Sequence, residues 1–312
     1  MNDTINNLSI VIPVYNAGKT LDHLTARIEK AVSLYVIQYE LLFVNDGSQD
    51  DSWQKIQELS KKYNFIKGFN LTKNYGQHNA LLCGIRQAQY PICVTIDDDL
   101  QNPPEEIQKL IKKLNEGYDL VYGVPEKERH GFWRDAASKL TKVILRYFTG
   151  LKYARDVGAF RAFRTQLREG FDAFSSHFIM LDVLFSWVTT NIGKVKVNHD
   201  ERQNGRSGYD FMKLVHHAMN LCFGASIVPL RLAILLGIFT AFFGMLVFLW
   251  VMIKFLIFGS VVQGFTFLAS IIAVFSGVQL LTLGIMGEYL GRMYFRQMDR
   301  VSYVIREMTN GK

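Results

Sequence analysis

The sequence predicts an α/β domain with a mainly parallel sheet, followed by interfacial helices and a two-helix transmembrane hairpin. Three observations carry this. Short apolar runs alternate with amphipathic segments over the first hundred residues, an acidic triplet Asp97-Asp98-Asp99 stands directly behind one of those runs, and residues 232–287 carry a single formal charge, Lys254.

Residues 8–14 read as a buried strand, and residues 20–34 as a helix with Leu21, Leu24, Ile28 and Ala31 on one face. Residues 40–44 form the next strand, which ends in the polar turn Asn45-Asp46-Gly47-Ser48. A helix over 51–62, a strand over 65–71, a helix over 77–89 and a strand over 91–95 complete the series. Such alternation implies an open, mainly parallel sheet with helices on both faces, where ligands bind at the carboxyl ends of the strands. Tyr15-Asn16, Asp46-Gly47-Ser48 and Asp97 to Asp99 all fall at strand ends and therefore gather on one edge. Neither a Gly-x-Gly-x-x-Gly nor a Walker-type loop occurs in this region, which argues against a dinucleotide enzyme or a P-loop ATPase.

In extended backbone, side chains two apart share a face, so Asp97 and Asp99 point together while Asp98 points away. Two hard oxygen donors in one small volume suit Mg²⁺ or Mn²⁺, held partly by protein and partly by nucleotide phosphates. A solvated acidic turn is the competing reading. The apolar strand before the triplet and the helix start at Pro103-Pro104 argue against it.

Downstream, residues 133–148 and 209–226 mix basic and apolar residues as membrane-surface helices do. The uncharged stretch divides near Phe258-Gly259-Ser260 into spans over 231–257 and 261–287, each long enough for a hydrocarbon core of about 30 Å. Arg231 on one flank and Arg292, Arg296, Arg300 and Arg306 on the other place both flanks in the cytoplasm. With no signal peptide at the polar start, the expected location is the inner (cytoplasmic) membrane, multi-pass, with the catalytic part cytoplasmic. The expected division is a catalytic domain over 1–208, a juxtamembrane segment over 209–230, the spans within 231–287 and a cytoplasmic tail over 288–312. Cys83, Cys93 and Cys222 have neither zinc-type spacing nor an even count, and read as packing residues in a reducing compartment. The net charge of +7 fits membrane lipid headgroups and phosphorylated substrates; no stripe of basic and aromatic residues supports nucleic acid as a partner.

These residues resemble the inverting glycosyltransferases of GT-A fold that load a sugar onto a polyprenyl phosphate. The landmarks are Val11 to Asn16, Asn45 to Ser48, Asn74-Tyr75-Gly76-Gln77-His78, the run from Asp97 to Glu105, Asp156 to Arg161, Glu201 to Ser207, and Gly287 to Tyr294. The resemblance covers nearly the whole chain. It implies a hexosyl- or pentosyltransferase that uses a nucleotide-sugar, with UDP favoured, and a polyprenyl phosphate acceptor such as undecaprenyl phosphate, for cell-envelope glycan modification. Pro13, Tyr15 and Asp46, with Asn16, Gly47 and Ser48 around them, would hold the base and ribose. Asp97 would sit near the diphosphate, and Asp99 and Gln101 would join the metal shell. Asp156 would orient the acceptor or the sugar. Arg202 and Arg206 beside Ser207, on a polar loop containing Gly205, offer guanidinium forks for phosphate, and Arg161 is a further candidate. The bacterial members form homotetramers through the tail, which makes residues 301–305 an expected intersubunit strand.

The acceptor phosphate, largely dianionic at neutral pH, needs no general base. Three departures bear on substrate choice: Ala17 where many members have Glu, Asn45 where a second Asp is common, and Gly208 where Lys often follows the Ser. Three other classes compete. A processive polysaccharide synthase would carry a Gln-x-x-Arg-Trp run, which is missing, and a non-catalytic sugar-nucleotide sensor would have lost a metal ligand, whereas Asp97, Asp99 and Gln101 are all present. A lipid-sugar flippase is disfavoured, because two spans leave little room for a substrate pathway and no charge lies at either span's centre.

Overall fold

A nearly unbroken apolar run is what a strand covered on both faces requires, and residues 8–14 lie in β1 (Ile5–Val14) near the middle of an eight-stranded sheet. The computed structural model describes residues 5–125, 158–174, 180–200, 228–258, 264–297 and 301–309. After β1 come α1 (Leu21–Val32), β2 (Val36–Asn45), α2 (Ser52–Lys62), β3 (Ile66–Leu71), α3 (Gln77–Gln87) and β4 (Ile92–Thr95). Then follow α4 (Ile107–Asn115), β5 (Leu120–Pro125), β6 (Arg161–Arg164), α5 (Leu181–Val188) and β7 (Ile192–Val197). The last elements are α6 (Val228–Phe258), α7 (Phe265–Gln297) and β8 (Ile305–Met308).

The strand order is β7-β5-β6-β4-β1-β2-β3-β8. Strands β3, β2, β1 and β4 are parallel, as the alternation predicts, and the order reverses at β1, whose neighbours are β2 and β4. That reversal is where a crevice opens at the carboxyl ends of such a sheet. Alternate residues of β1 face opposite layers. Leu8, Ile10, Ile12 and Val14 pack with Leu21, Leu24 and Ile28 of α1 and Leu110 of α4, while Val11 packs with Leu82 of α3 and Phe185 of α5.

Two strands run against the others. Strand β6 is antiparallel to both β4 and β5, and β8 is antiparallel to β3. In the tail the strand forms at Ile305–Met308 rather than over 301–305, and β8 covers the edge of the sheet, with Phe69 opposite Met308 and Asn70 opposite Glu307. Edge strands present unpaired backbone groups, and the tail satisfies those of β3. Cys83 and Cys93 are buried free thiols, with burial raising Cys83 to about 12, so both are the packing residues expected. Cys222 and the amphipathic segments at 133–148 and 209–226 lie outside the described residues.

The chain divides into two units, one of residues 1–146, 151–209 and 299–312, the other of residues 147–150 and 210–298. The second contains α6 and α7. Within it, a Cβ added at Gly244 of α6 would come within 2.7 Å of the Phe275 ring of α7, so the two helices meet there with no room for a side chain. The stretch Leu230–Ile257 has a mean hydropathy of 2.6, and its length and composition suffice to cross a membrane. Helix α7 forms over the second predicted span and continues past Gly287 to Gln297.

Candidate active site

Three strand ends build an open cleft of about 300 Å³, lined by Pro13, Val14 and Tyr15 after β1, Asp46 after β2, Asn74, Gly76 and Gln77 before α3, and Asp97, Asp98 and Asp99 after β4. None of these lining residues is a cation.

The β1 and β2 ends are stitched together. Asp46 N–H donates to Val14 O at 2.9 Å, Asn16 N–H to Ser48 Oγ at 3.0 Å, and Gln49 N–H to Asn16 Oδ1 at 2.8 Å. Asn16 adopts φ +53, a left-handed conformation that Asn tolerates better than most residues. Asp46 accepts the backbone N–H groups of Tyr75 (2.7 Å) and Gly76 (2.9 Å). Burial raises its pKa, against the pull of those two amides. Gly47, at φ +67, must lack a side chain, because a Cβ there would lie 2.6 Å from the backbone of both Lys73 and Asn74.

The acidic turn departs from its predicted geometry. Strand β4 ends at Thr95, so the triplet lies beyond the ladder in a turn, and two-residue alternation does not govern it. Asp98 consequently faces the cleft with its neighbours, accepting Tyr15 N–H on Oδ2 at 3.1 Å. Its backbone carbonyl accepts the Thr20 hydroxyl at 3.0 Å. Leu100, 2% exposed, holds φ +61, a conformation costly for a branched side chain, by about 1–3 kcal/mol. Gln77 Nε2 donates to Asp97 Oδ1 at 2.6 Å. Burial, then the charges of Asp99 and Asp98, push the Asp97 carboxyl up to about 7, against the opposing influence of Arg161 and Gln77.

Carboxylates crowded in this way, with no cation among the lining residues, form a donor set that fits a hard divalent ion sharing its remaining positions with phosphate oxygens. Among the described residues no group of three or more His, Cys, Asp or Glu side chains is arranged to hold a metal ion by itself.

Of the residues singled out in the sequence, Pro13, Tyr15, Asp46, Asp97 and Asp99 meet in the cleft, while Asn16, Gly47 and Ser48 brace its wall. Gln101 does not line the cleft. Its N–H donates to Asp99 Oδ1 at 3.1 Å, and its carbonyl accepts Asp200 N–H at 2.8 Å. Asn45 lies buried behind Asp46 and donates to Asn70 Oδ1 at 2.8 Å. Arg161 requires a correction as a phosphate ligand. It is 1% exposed, donates from Nε to Thr95 Oγ1 at 3.1 Å and from Nη1 to Asp182 Oδ1, and sits 5.5 Å from the Phe185 ring. Burial, the largest influence, would lower its pKa, but Asp182, Tyr122 and Asp97 together more than offset it, so it stays charged beneath the acidic turn. Asp156, Arg202, Arg206 and Ser207 lie outside the described residues. The chain leading to Arg202 nevertheless leaves from Asp200, docked on Gln101 and 3.6 Å from Arg27.

Val14, Asn74, Gly76, Gln77 and Asp98 are the lining residues to which the sequence alone assigned no role in binding. Asn74 to Gln77 fell within a landmark of the resemblance, but their approach to Asp46 and Asp97 depends on how α3 docks.

A family model for glycosyl transferase family 2 matches residues 9–174, more than half of the chain. The chain is 33% identical to an undecaprenyl-phosphate 4-deoxy-4-formamido-L-arabinose transferase of Proteus mirabilis, over 99% of this chain and 96% of that protein. A transferase of the same name from Pseudomonas paraeruginosa is 35% identical over 97% of this chain and 91% of its own length. Among solved structures, glucosyl-3-phosphoglycerate synthase from Mycobacterium tuberculosis, in complex with Mn²⁺ and UDP-glucose, superposes with a TM-score of 0.52 at 16% identity, over 70% of this chain and 77% of that one, a likeness of fold. The GT-A arrangement of the sheet, the strand-end cleft and the full-length similarity agree: this chain belongs to glycosyl transferase family 2.

Proposed function

We propose that the protein transfers a sugar, with inversion, from a UDP-sugar to a polyprenyl phosphate of the undecaprenyl type, giving a lipid-linked monosaccharide for modification of cell-envelope glycans. The observation that carries this reading is the facing of Asp46 and the acidic turn Asp97 to Asp99 across one strand-end cleft. The full-length relatives, named for a sugar transfer to undecaprenyl phosphate, supply the acceptor class.

Tyr15 and Asp46 bind the nucleoside part, and Asp97 and Asp99, joined by Asp98, are the residues that would hold Mg²⁺ or Mn²⁺. When bound, the ion offsets the negative charge that grows on the departing nucleotide. Asp156 orients the acceptor or the sugar. Arg202 and Arg206, with Ser207 beside them, bring the acceptor phosphate into line and screen its repulsion from the donor. Gln101 acts through its backbone, by fixing Asp99 and Asp200, and Arg161 acts from below as a buried positive charge. The acceptor phosphate attacks directly, so no side chain has to remove a proton.

Residues 1–208 form the catalytic domain, 209–230 lie at the membrane surface, α6 and α7 span the inner membrane as a hairpin, and both flanks are cytoplasmic. Detergent-purified protein given undecaprenyl phosphate and a panel of radiolabelled UDP- and GDP-sugars should form one labelled lipid in a cation-dependent manner. Transfer that persists in excess chelator would remove the metal from this scheme, and transfer to no lipid phosphate would end the proposal.

A further inference from the structure

The tail does more than cover the edge of β3. Its ladder with β3 shifts register between Asn70 and Leu71, and beyond the end of β3 it reaches into the following turn. There it takes up both backbone groups of Thr72: the N–H donates to Val304 O at 2.9 Å, and the carbonyl accepts Arg306 Nη2 at 2.8 Å. The Thr72 hydroxyl lies 2.8 Å from Tyr75 Oη. Tyr75 and Gly76 are the residues whose amides hold Asp46, and Gln77 next to them holds Asp97.

The tail is anchored on both sides of this contact. Ser302 is buried, and the Tyr303 ring lies 5.8 Å from the Arg86 guanidinium on α3. Further along, Glu307 accepts Trp53 Nε1 (3.0 Å) and Gln57 Nε2 (2.9 Å), while Thr309 Oγ1 accepts Gly68 N–H at 2.7 Å. A strand that only shielded an edge would need no grip on a residue past the end of its partner.

We propose that β8 is a positioning element of the donor site, a clamp that fixes the 72–76 turn so that its amides stay on Asp46. This rests on the reading of the cleft as the nucleotide site, and two separate measurements keep the two apart. In the full-length protein, Arg306→Ala should speed amide hydrogen exchange at Thr72, Tyr75 and Gly76 about tenfold, the scale of one lost hydrogen bond from a charged donor, with α1 and β4 unchanged. The same variant should bind UDP with Mn²⁺ about tenfold more weakly by calorimetry, Arg306→Lys should recover much of that loss, and maximal turnover should change less than the Michaelis constant for the donor. If wild-type protein binds no UDP, the nucleotide reading fails while the exchange result still judges the clamp. Wild-type exchange at Tyr75 and Gly76 in Arg306→Ala overturns the clamp.

Discussion

The side-chain amide of Gln77, in the first turn of α3, donates a 2.6 Å hydrogen bond to Asp97 just past β4. It ties the helix that follows the 72–76 turn to the acidic turn, and it lowers a carboxyl pKa that burial and two neighbouring aspartates push up to about 7. Replacing Gln77 with Ala should therefore shift the acidic limb of the activity–pH profile upward and reduce turnover at neutral pH by about tenfold, as for the loss of a hydrogen bond to a charged group. An unchanged profile would mean that the contact does not set the state of Asp97.

The acidic turn makes a second prediction. Asp97→Ala and Asp99→Ala should abolish transfer, and Asp98→Ala should be nearly as damaging, because Asp98 lines the cleft and anchors Tyr15. A cation must displace the proton from Asp97, so Mn²⁺ affinity should fall as pH drops through about 7, approaching tenfold per unit below it. Calorimetric titrations at about pH 6 and about pH 8 check the sign; equal affinities would exclude Asp97 as a ligand.

Beneath the turn, Asp182 accepts both Arg161 Nη1 and, at 2.8 Å, the Tyr122 hydroxyl, and all three residues are buried. Asp182→Ala strands a buried guanidinium and should destabilise the domain by about 3–5 kcal/mol in denaturant unfolding. Arg27→Ala, which breaks a partly exposed pair with Glu105 at 2.8 Å, should cost at most about 1 kcal/mol. Similar losses in both would mean that burial does not separate the two pairs.

Arg202 supplies the fourth. If it stabilises charge that develops during transfer, Arg202→Ala should lower turnover on the order of a hundredfold while changing nucleotide affinity little. Arg206→Lys separates two roles, since a point charge survives that change and a bidentate fork does not. Kinetics with lipid and donor varied independently decide both.

The strand–helix alternation, the strand-end placement of Tyr15, Asp46 and Asp97, and the apolar stretch that became α6 and α7 were legible in the residues alone, because each depends on local periodicity and on residue types at element ends. Which way the triplet points depends on where the β4 ladder stops. Strand β4 is four residues long, and two-residue alternation ceases where the ladder stops, so Asp98 joins the cleft. Arg161 followed the same logic: as a motif it suggested phosphate, but the packing of α5 placed Asp182 against it and withdrew it from solvent. Gln77 meets Asp97, and Arg306 meets Thr72, across separations of 20 and 234 residues. Contacts of that range leave no trace in local pattern, because they are fixed by how the sheet orders its strands and not by the residues on either side.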